Sequence, residues 1–581
     1  MRAAAHQTPG ELSTSPREPV MAQSQMATAQ TAVAQSAQTT TRIETQTRPA
    51  LYRHWRLDVR GGAAWLYLDV NESGGLRSDY QLKLNSYDLG VDIELADVTT
   101  RLRFEHPEVS VVVLTSGKSN VFCAGANIFM LGGSTHPHKV NFCKFTNETR
   151  LAIEEATSES GQTWLAALNG VASGGGYELA LACDEIHLVD DRSSAVSLPE
   201  IPFLAVLPGT GGLTRLVDKR HVRRDRADVF STRAEGMKGK RAVEWNLVDG
   251  VHPASRWDEA IQERVKALTR DKPGRRPVQL PPLEKRASGG EIAYRYVTLK
   301  LETALRTATL TVRGPESVPA LPADPAELGA AWYPLAMCRE LDDALLELRL
   351  NQEPVAVVRV RTEGELAQAL ELDAQLARHR GHWFVQEVLL LLRRTLKRMD
   401  YTAKSFFALI EPGSCFGGFL FELALASDRI YMLDDEDGRN RIALGALNAG
   451  ALPMGNGLSR LAQRFLHDPA HAEALLKEVP REFGAQEALD AGLVTGAPDA
   501  LDWDDEVRVA IEERASLSPD ALTGMEASLR FGGPETMETK IFGRLTAWQN
   551  WIFQRPNATG PQGALTLYGK PESPSFDRRR T

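Results

Sequence analysis

The sequence predicts an α/β protein whose fold is carried twice along one chain, and three observations lead there. Residues 109–114, Val-Ser-Val-Val-Val-Leu, make a nearly continuous β-branched run suited to a strand buried on both faces. Further on, Gly174-Gly175-Gly176 runs straight into Tyr177-Glu178-Leu179-Ala180-Leu181-Ala182, whose alanines and leucines suit a buried helix. At 581 residues the chain exceeds what one core normally holds, and its second half repeats the first.

In chain order, residues 1–48 are rich in Ala, Gln, Thr and Ser and poor in large apolar side chains, so burial cannot offset ordering entropy. They are expected to form a disordered tail, with Met21 as the natural start and no h-region of a secretory signal. Residues 49–270 form the first copy. Within it, 142–155 places apolar residues at helical spacing with Asn147-Glu148-Thr149-Arg150 on the wetter side, and His136-Pro137-His138 is expected in a solvated loop. The polar, proline-rich stretch 271–290 is the expected linker. A second copy spans 291–510, and 511–581 is expected to be helical, with Trp548 and Trp551 as core or dimer contacts.

The repeat has an offset of about 242 to 247 residues. Tyr294-Arg295 mirrors Tyr52-Arg53. The run Gly413-Ser414-Cys415-Phe416-Gly417-Gly418-Phe419-Leu420-Phe421-Glu422 mirrors 169–178 with one extra residue before the glutamate, and Leu452-Pro453-Met454-Gly455 mirrors Leu207-Pro208-Gly209-Thr210. After Thr362-Glu363-Gly364, however, a helix-like run replaces the counterpart of Phe122-Cys123-Ala124-Gly125, and the position facing Glu200 is approximately Gly445. The second copy is therefore expected to be non-catalytic.

The glycines of 174–176 let backbone N–H groups approach a ligand closely, at the positive end of the helix that follows. Such donors stabilise an oxygen that gains negative charge, and Glu178 in the first turn would be a neighbouring acid or base. Tight strand–helix packing alone would also explain the glycines. Four further blocks decide between these readings: Lys83-Leu84-Asn85-Ser86, Val121-Phe122-Cys123-Ala124-Gly125-Ala126-Asn127-Ile128, Leu198-Pro199-Glu200-Ile201 leading to Pro208-Gly209-Thr210-Gly211-Gly212, and Ala242-Val243-Glu244-Trp245-Asn246-Leu247. With 169–184, in this order and spacing, they resemble the crotonase (enoyl-CoA hydratase/isomerase) superfamily over roughly residues 50–270.

That resemblance implies a ClpP/crotonase-like fold of repeated ββα units, here in two tandem copies with terminal helices, and an acyl-CoA thioester as substrate. It implies an oxyanion hole from the backbone N–H groups of Ala124 and Gly175, with Glu178 and Glu200 as paired acid/base carboxylates whose individual roles stay open. Lys83, Leu84, Gly125, Asn127 and Gly174 would contact the substrate or its CoA. Glu200 read without the family is an ordinary loop or capping carboxylate. Asn127 stands where many members carry aspartate, and the spacing from Cys183 to Glu200 is about two residues longer than in typical hydratases, which points to a rebuilt pocket floor. With the sequence of 174–186, one intact and one degenerate copy in a chain this long resembles a ring-opening branch of that superfamily, and this resemblance implies aerobic benzoate breakdown: opening of an epoxidised benzoyl-CoA ring with water, giving a semialdehyde-CoA and formate. The alternatives are hydration or isomerisation of another enoyl-CoA, a carbon–carbon hydrolase of the diketone type, and a non-enzymatic CoA-sensing scaffold.

A net charge of −9 argues against a nucleic-acid partner. Five cysteines, odd in number and mostly in apolar runs, fit reduced thiols in the cytoplasm. No apolar run approaches the roughly 20 residues needed to span a bilayer. Gly209-Thr210-Gly211-Gly212 is not a dinucleotide fingerprint, and His136 and His138 lack further ligands at metal-site spacing. The expected cofactor set is empty, CoA being part of the substrate, and the expected assembly is a homodimer.

Overall fold

The computed structural model describes residues 42–581, of which Ile43–Thr581 form one compact unit. Most of the expected tail, 1–48, therefore lies outside the described residues. Its described end is fastened down: Ile43 N–H donates to Asn351 Oδ1 at 2.8 Å and Thr45 Oγ1 to Asp343 at 2.7 Å.

The chain enters through β1 (Trp55–Arg60) and β2 (Ala63–Leu68), an antiparallel pair, then α1 (Leu89–Phe104), β3 (Val111–Ser116) and the short β4 (Asn120–Cys123). A small helix α2 (Ile128–Gly133) precedes the long α3 (His136–Ser160), followed by β5 (Thr163–Leu168), β6 (Gly170–Ser173), α4 (Gly175–Ala182), β7 (Glu185–Asp190) and β8 (Val196–Ser197). Next come α5 (Glu200–Leu204), β9 (Gly250–Pro253) and α6 (Trp257–Leu268). Six strands form one sheet in the order β1-β2-β3-β5-β7-β9, parallel from β2 onward. All six residues of β3 are buried, because both faces are covered. Val112 and Leu114 join the core with α1, α3 and α4, whereas Val111 and Val113 pack on Ile261 and Val265 of α6.

Beyond β10 (Arg286–Ser288) and β11 (Glu291–Ala293), the hairpin β12 (Val297–Glu302) and β13 (Thr307–Arg313) leads to α7 (Tyr333–Leu350) and β14 (Val357–Glu363). Helices α8 (Leu366–His379) and α9 (Trp383–Tyr401), strand β15 (Ser405–Ile410), helix α10 (Phe421–Leu425) and strand β16 (Arg429–Met432) follow. The seven-stranded sheet runs β10 to β16 in order, antiparallel up to β13 and parallel thereafter. The sense of pairing in β12 to β16 thus repeats that of β1-β2-β3-β5-β7. The chain closes with α11 (Trp503–Ser516), α12 (Pro519–Leu529) and shorter helices up to Leu567.

The stretch 271–290 is strapped to the first half. Lys272 Nζ donates to the Val109 and Ser160 carbonyls at 2.9 Å, and Val278 N–H to the Phe104 carbonyl at 2.8 Å. His136 and His138 stand in the first turn of α3, not in a loop. His136 stacks on Trp551 with ring centroids 5.6 Å apart, and burial between cationic neighbours pushes its pKa down to about 4. Among the described residues no helix is long and apolar enough to cross a membrane, and no cluster of three or more His, Cys, Asp or Glu could hold a metal.

Candidate active site

Three short strands bring the sequence blocks together. β4, β6 and β8 form a separate parallel sheet, with Asn120 opposite Gly170 and Ser173 opposite Ser197, so their carboxyl ends share one edge. From that edge Cys123 leads into the loop 124–127, Ser173 into the Gly174 turn, and Ser197 into Pro199 and Glu200. Gly174 has φ 53° and ψ −129°, outside the range of L side chains, and a Cβ on it would stand 2.6 Å from Glu200 Oε1. Gly125, at φ 88°, lies against Gly175 so tightly that a Cβ there would come within 2.8 Å of the Gly175 nitrogen.

Glu178, buried in the first turn of α4, is the most heavily bonded group of the site. Its Oε1 accepts from Thr210 N–H at 3.0 Å and Gly212 N–H at 2.8 Å, and its Oε2 from the Thr210 hydroxyl. This gives the Gly-rich loop 209–212 its role, which the sequence did not disclose. Arg215 secures the loop by donating to the Thr210 carbonyl at 2.9 Å while paired with Glu154 at 2.8 Å. Glu200 opens α5 and is the opposite case: its Oε2 is buried without a hydrogen-bond partner among the described residues. Burial first, and the Glu178 charge second, push its pKa up to about 7.

Cys143, on α3, is half-buried beside Gly209, where a Cβ would lie 3.6 Å from its sulfur. Burial, then the Glu178 and Asp92 charges, push the thiol up to about 11. Nothing in the sequence pattern pointed to this residue, because its approach to Gly209 is a tertiary contact.

These three blocks on one parallel edge are matched by likeness to known proteins. The enoyl-CoA hydratase/isomerase family profile matches residues 81–293. Benzoyl-CoA-dihydrodiol lyase from Aromatoleum evansii is 55% identical over 542 residues, spanning 93% of this chain and 98% of that protein. The chain belongs to the crotonase, or enoyl-CoA hydratase/isomerase, family. Among solved structures, an enoyl-CoA hydratase from Geobacillus kaustophilus is 32% identical over 38% of this chain and 75% of its own, with a TM-score of 0.33. One from Bacillus anthracis is 28% identical over 37% and 76%, with a TM-score of 0.32.

Within this crotonase site two sequence assignments need correction. Ala124 N–H donates to the Leu84 carbonyl at 3.1 Å and so is not available to an oxyanion. Tyr87 N–H bonds the Gly125 carbonyl at 3.0 Å, Gly125 N–H bonds Cys123 Sγ at 3.3 Å and Asn127 N–H bonds the Tyr87 carbonyl at 2.9 Å, which leaves Ala126 N–H as the donor of the loop with no partner among the described residues. Gly175 N–H likewise has no partner among the described residues. Asn127, expected to touch substrate, is spent on the loop. Its Oδ1 caps Met130 N–H at 2.9 Å, and its Nδ2 donates to the Gln81 carbonyl at 2.7 Å and Ser86 Oγ at 3.0 Å. Lys83 and Leu84 stand exposed on the one-turn helix that holds Ala124, with Leu84 at φ 56°. Phe129 of α2 and Phe203 of α5 are exposed as well.

Proposed function

We propose that residues 49–270 open the ring of 2,3-epoxy-2,3-dihydrobenzoyl-CoA, yielding 3,4-dehydroadipyl-CoA semialdehyde and formate. The observation that carries this reading is a pair of glutamates in opposite surroundings, Glu178 bonded by three donors and Glu200 with an orphaned oxygen, beside two N–H donors that are unengaged among the described residues. The 55%-identical relative named for a benzoyl-CoA derivative supplies the substrate class. The thioester carbonyl accepts from Ala126 and Gly175 N–H. Glu200, whose pKa is pushed up to about 7, gives its proton to the epoxide oxygen, and Glu178 takes one from the attacking water. Ring opening between the two oxygenated carbons turns the diol into an isomeric dialdehyde; a second water adds to the formyl group on the thioester α-carbon, and the bond between those carbons breaks, releasing formate and sending its electron pair into the thioester held by the same donors. Two waters are consumed overall and no net oxidation occurs, so the reaction calls for no metal or redox cofactor, and a chelator is expected to leave the rate unchanged.

The second half, 291–510, is inferred to be a non-catalytic second copy, joined by 271–290 and closed by the helices of 511–581. Its glycine turn is filled from within: Asp373 of α8 accepts from Leu447 N–H at 3.2 Å and would lie 2.3 Å from a Cβ on Gly445, where the first half carries Glu200. Glu422 is bonded by Asn448 at 2.7 Å and Arg460 at 3.2 Å. A homodimer is inferred from exposed Met537, Phe542 and Leu545 on the closing helices, and sedimentation measures it directly. The five unpaired cysteines fit the cytoplasm, which fractionation of the native host would check.

Mass-spectrometric detection of formate from benzoyl-CoA supplied with its epoxidase tests the main reading. Glu178→Gln and Glu200→Gln are each expected to lower that rate by about 10²–10⁴-fold with the fold intact. Formate release at the wild-type rate by either variant defeats the assignment. Turnover of crotonyl-CoA without formate would instead favour a hydratase.

A further inference from the structure

We propose that Tyr87 is a further catalytic residue, whose hydroxyl donates a hydrogen bond to the oxygen bound by Gly175 N–H. The proposal rests on the oxyanion-hole reading above and extends it from two backbone donors to a side chain.

Tyr87 is built into the hole on every side. Its backbone N–H and carbonyl bind Gly125 and Asn127, flanking Ala126. Phe142 packs against its ring at 5.8 Å between centroids, and the Arg150 guanidinium lies 5.4 Å from the ring centre. Arg150 is fixed in turn by Asp92 at 2.5 Å. The ring therefore has one direction, and that direction ends at the turn into α4: a Cβ on Gly175 would stand 2.0 Å from Tyr87 Oη.

That hydroxyl is fully buried and has no hydrogen-bond partner among the described residues. A buried hydroxyl without a partner destabilises the fold, and phenylalanine would fill the same space without that penalty. The other orphaned atom against this turn is Glu200 Oε2, which the proposed reaction already uses. Two unpartnered polar atoms facing one two-residue turn fit groups whose partner arrives with the substrate. Burial and the Asp92 and Glu178 charges, opposed by Arg150, hold the phenol well above its ordinary pKa, so it serves as a donor.

The test is Tyr87→Phe in the full chain, with two readouts. Rapid kinetics with epoxybenzoyl-CoA is expected to show kcat reduced about 10²-fold with KM nearly unchanged, as for loss of one oxyanion donor. Infrared difference spectra of bound benzoyl-CoA carrying a ¹³C carbonyl are expected to show a polarised thioester band in the wild type that moves back toward the free ester in the variant. The melting temperature of the variant should equal or exceed that of the wild type. An unchanged carbonyl band in Tyr87→Phe, or a wild-type band already at the free-ester position, overturns the proposal. A lower melting temperature with both catalytic readouts intact would assign Tyr87 to packing and overturn it as well. Should epoxybenzoyl-CoA not be turned over at all, the substrate reading fails separately, and the benzoyl-CoA band decides the role of Tyr87 alone.

Discussion

Glu178 and Glu200 are the same residue type within reach of each other's charge, and their surroundings give them different work. Three donors converge on Glu178, whereas Glu200 has an orphaned oxygen and a pKa pushed up to about 7. In the proposed role of acid, Glu200 is competent while protonated, so kcat should fall as pH rises through about 7. A rate that climbs across that range would reverse the two roles. The same shift bears on stability. A carboxyl whose folded pKa is raised binds its proton more tightly in the native state, so it stabilises the fold at low pH and that contribution is lost between its unfolded value near 4.5 and about 7. Glu200→Gln should therefore raise the melting temperature at pH 8 and leave it unchanged at pH 4.5. That both glutamates and Gly175 meet beside one turn was expected from the sequence only through the resemblance of their blocks to the family, since each pattern alone also fits packing or capping. The places of Ala126 and Tyr87 were not expected. Which N–H of 124–127 stays unengaged depends on the left-handed Leu84, and an orphaned hydroxyl is visible only once every neighbour is in place.

Three short parallel strands explain why blocks about 50 and 25 residues apart in sequence end on one edge. The regular elements were readable: the buried β3, the helical course of α3 and the apolar α4 follow from residue pattern, but Thr149 and Arg150, expected on the wetter side of α3, are buried, Arg150 in an ion pair with Asp92. The strap character of 271–290 was not, because a polar, proline-rich stretch has the same composition whether it floats or is pinned by Lys272 and Val278. The turn between β6 and α4 is the most sensitive element. Gly174→Ala would place a side chain at φ 53° and against Glu200 Oε1, so the turn must shift and take the Gly175 donor with it. Loss of about 10²-fold or more in kcat is expected, with far-ultraviolet circular dichroism unchanged. Full activity in this variant would mean that the Gly174 backbone does not position the donor.

At the scale of the molecule, the two halves share side chains as well as a linker. Leu346 and Leu350 of α7 lie in the core of the first sheet, and Phe104 of α1 in that of the second. Between them Glu155 of α3 meets Arg103 of α1 at 2.8 Å and Arg393 of α9 at 2.7 Å, together with Arg394, and Arg103 continues to Glu387 at 2.7 Å. Arg349 and Glu148 add a second buried crossing at 2.9 Å. Arginine charges around Glu155 outweigh its burial and hold its pKa below the ordinary range. A depressed carboxylate stabilises the fold above its unfolded pKa near 4.5 and loses that contribution as pH falls through its folded value. Glu155→Gln leaves buried guanidinium groups without their counter-charge, a loss of about 3–5 kcal/mol for a broken buried pair. Calorimetry at pH 7 should show the variant melting well below the wild type, with the difference shrinking as pH is lowered past 4. Because Glu155 ties α1 and α3 of the first half to α9 of the second, its loss should also divide one transition into two. A single transition at the wild-type temperature would show instead that the shared apolar cores join the halves without it.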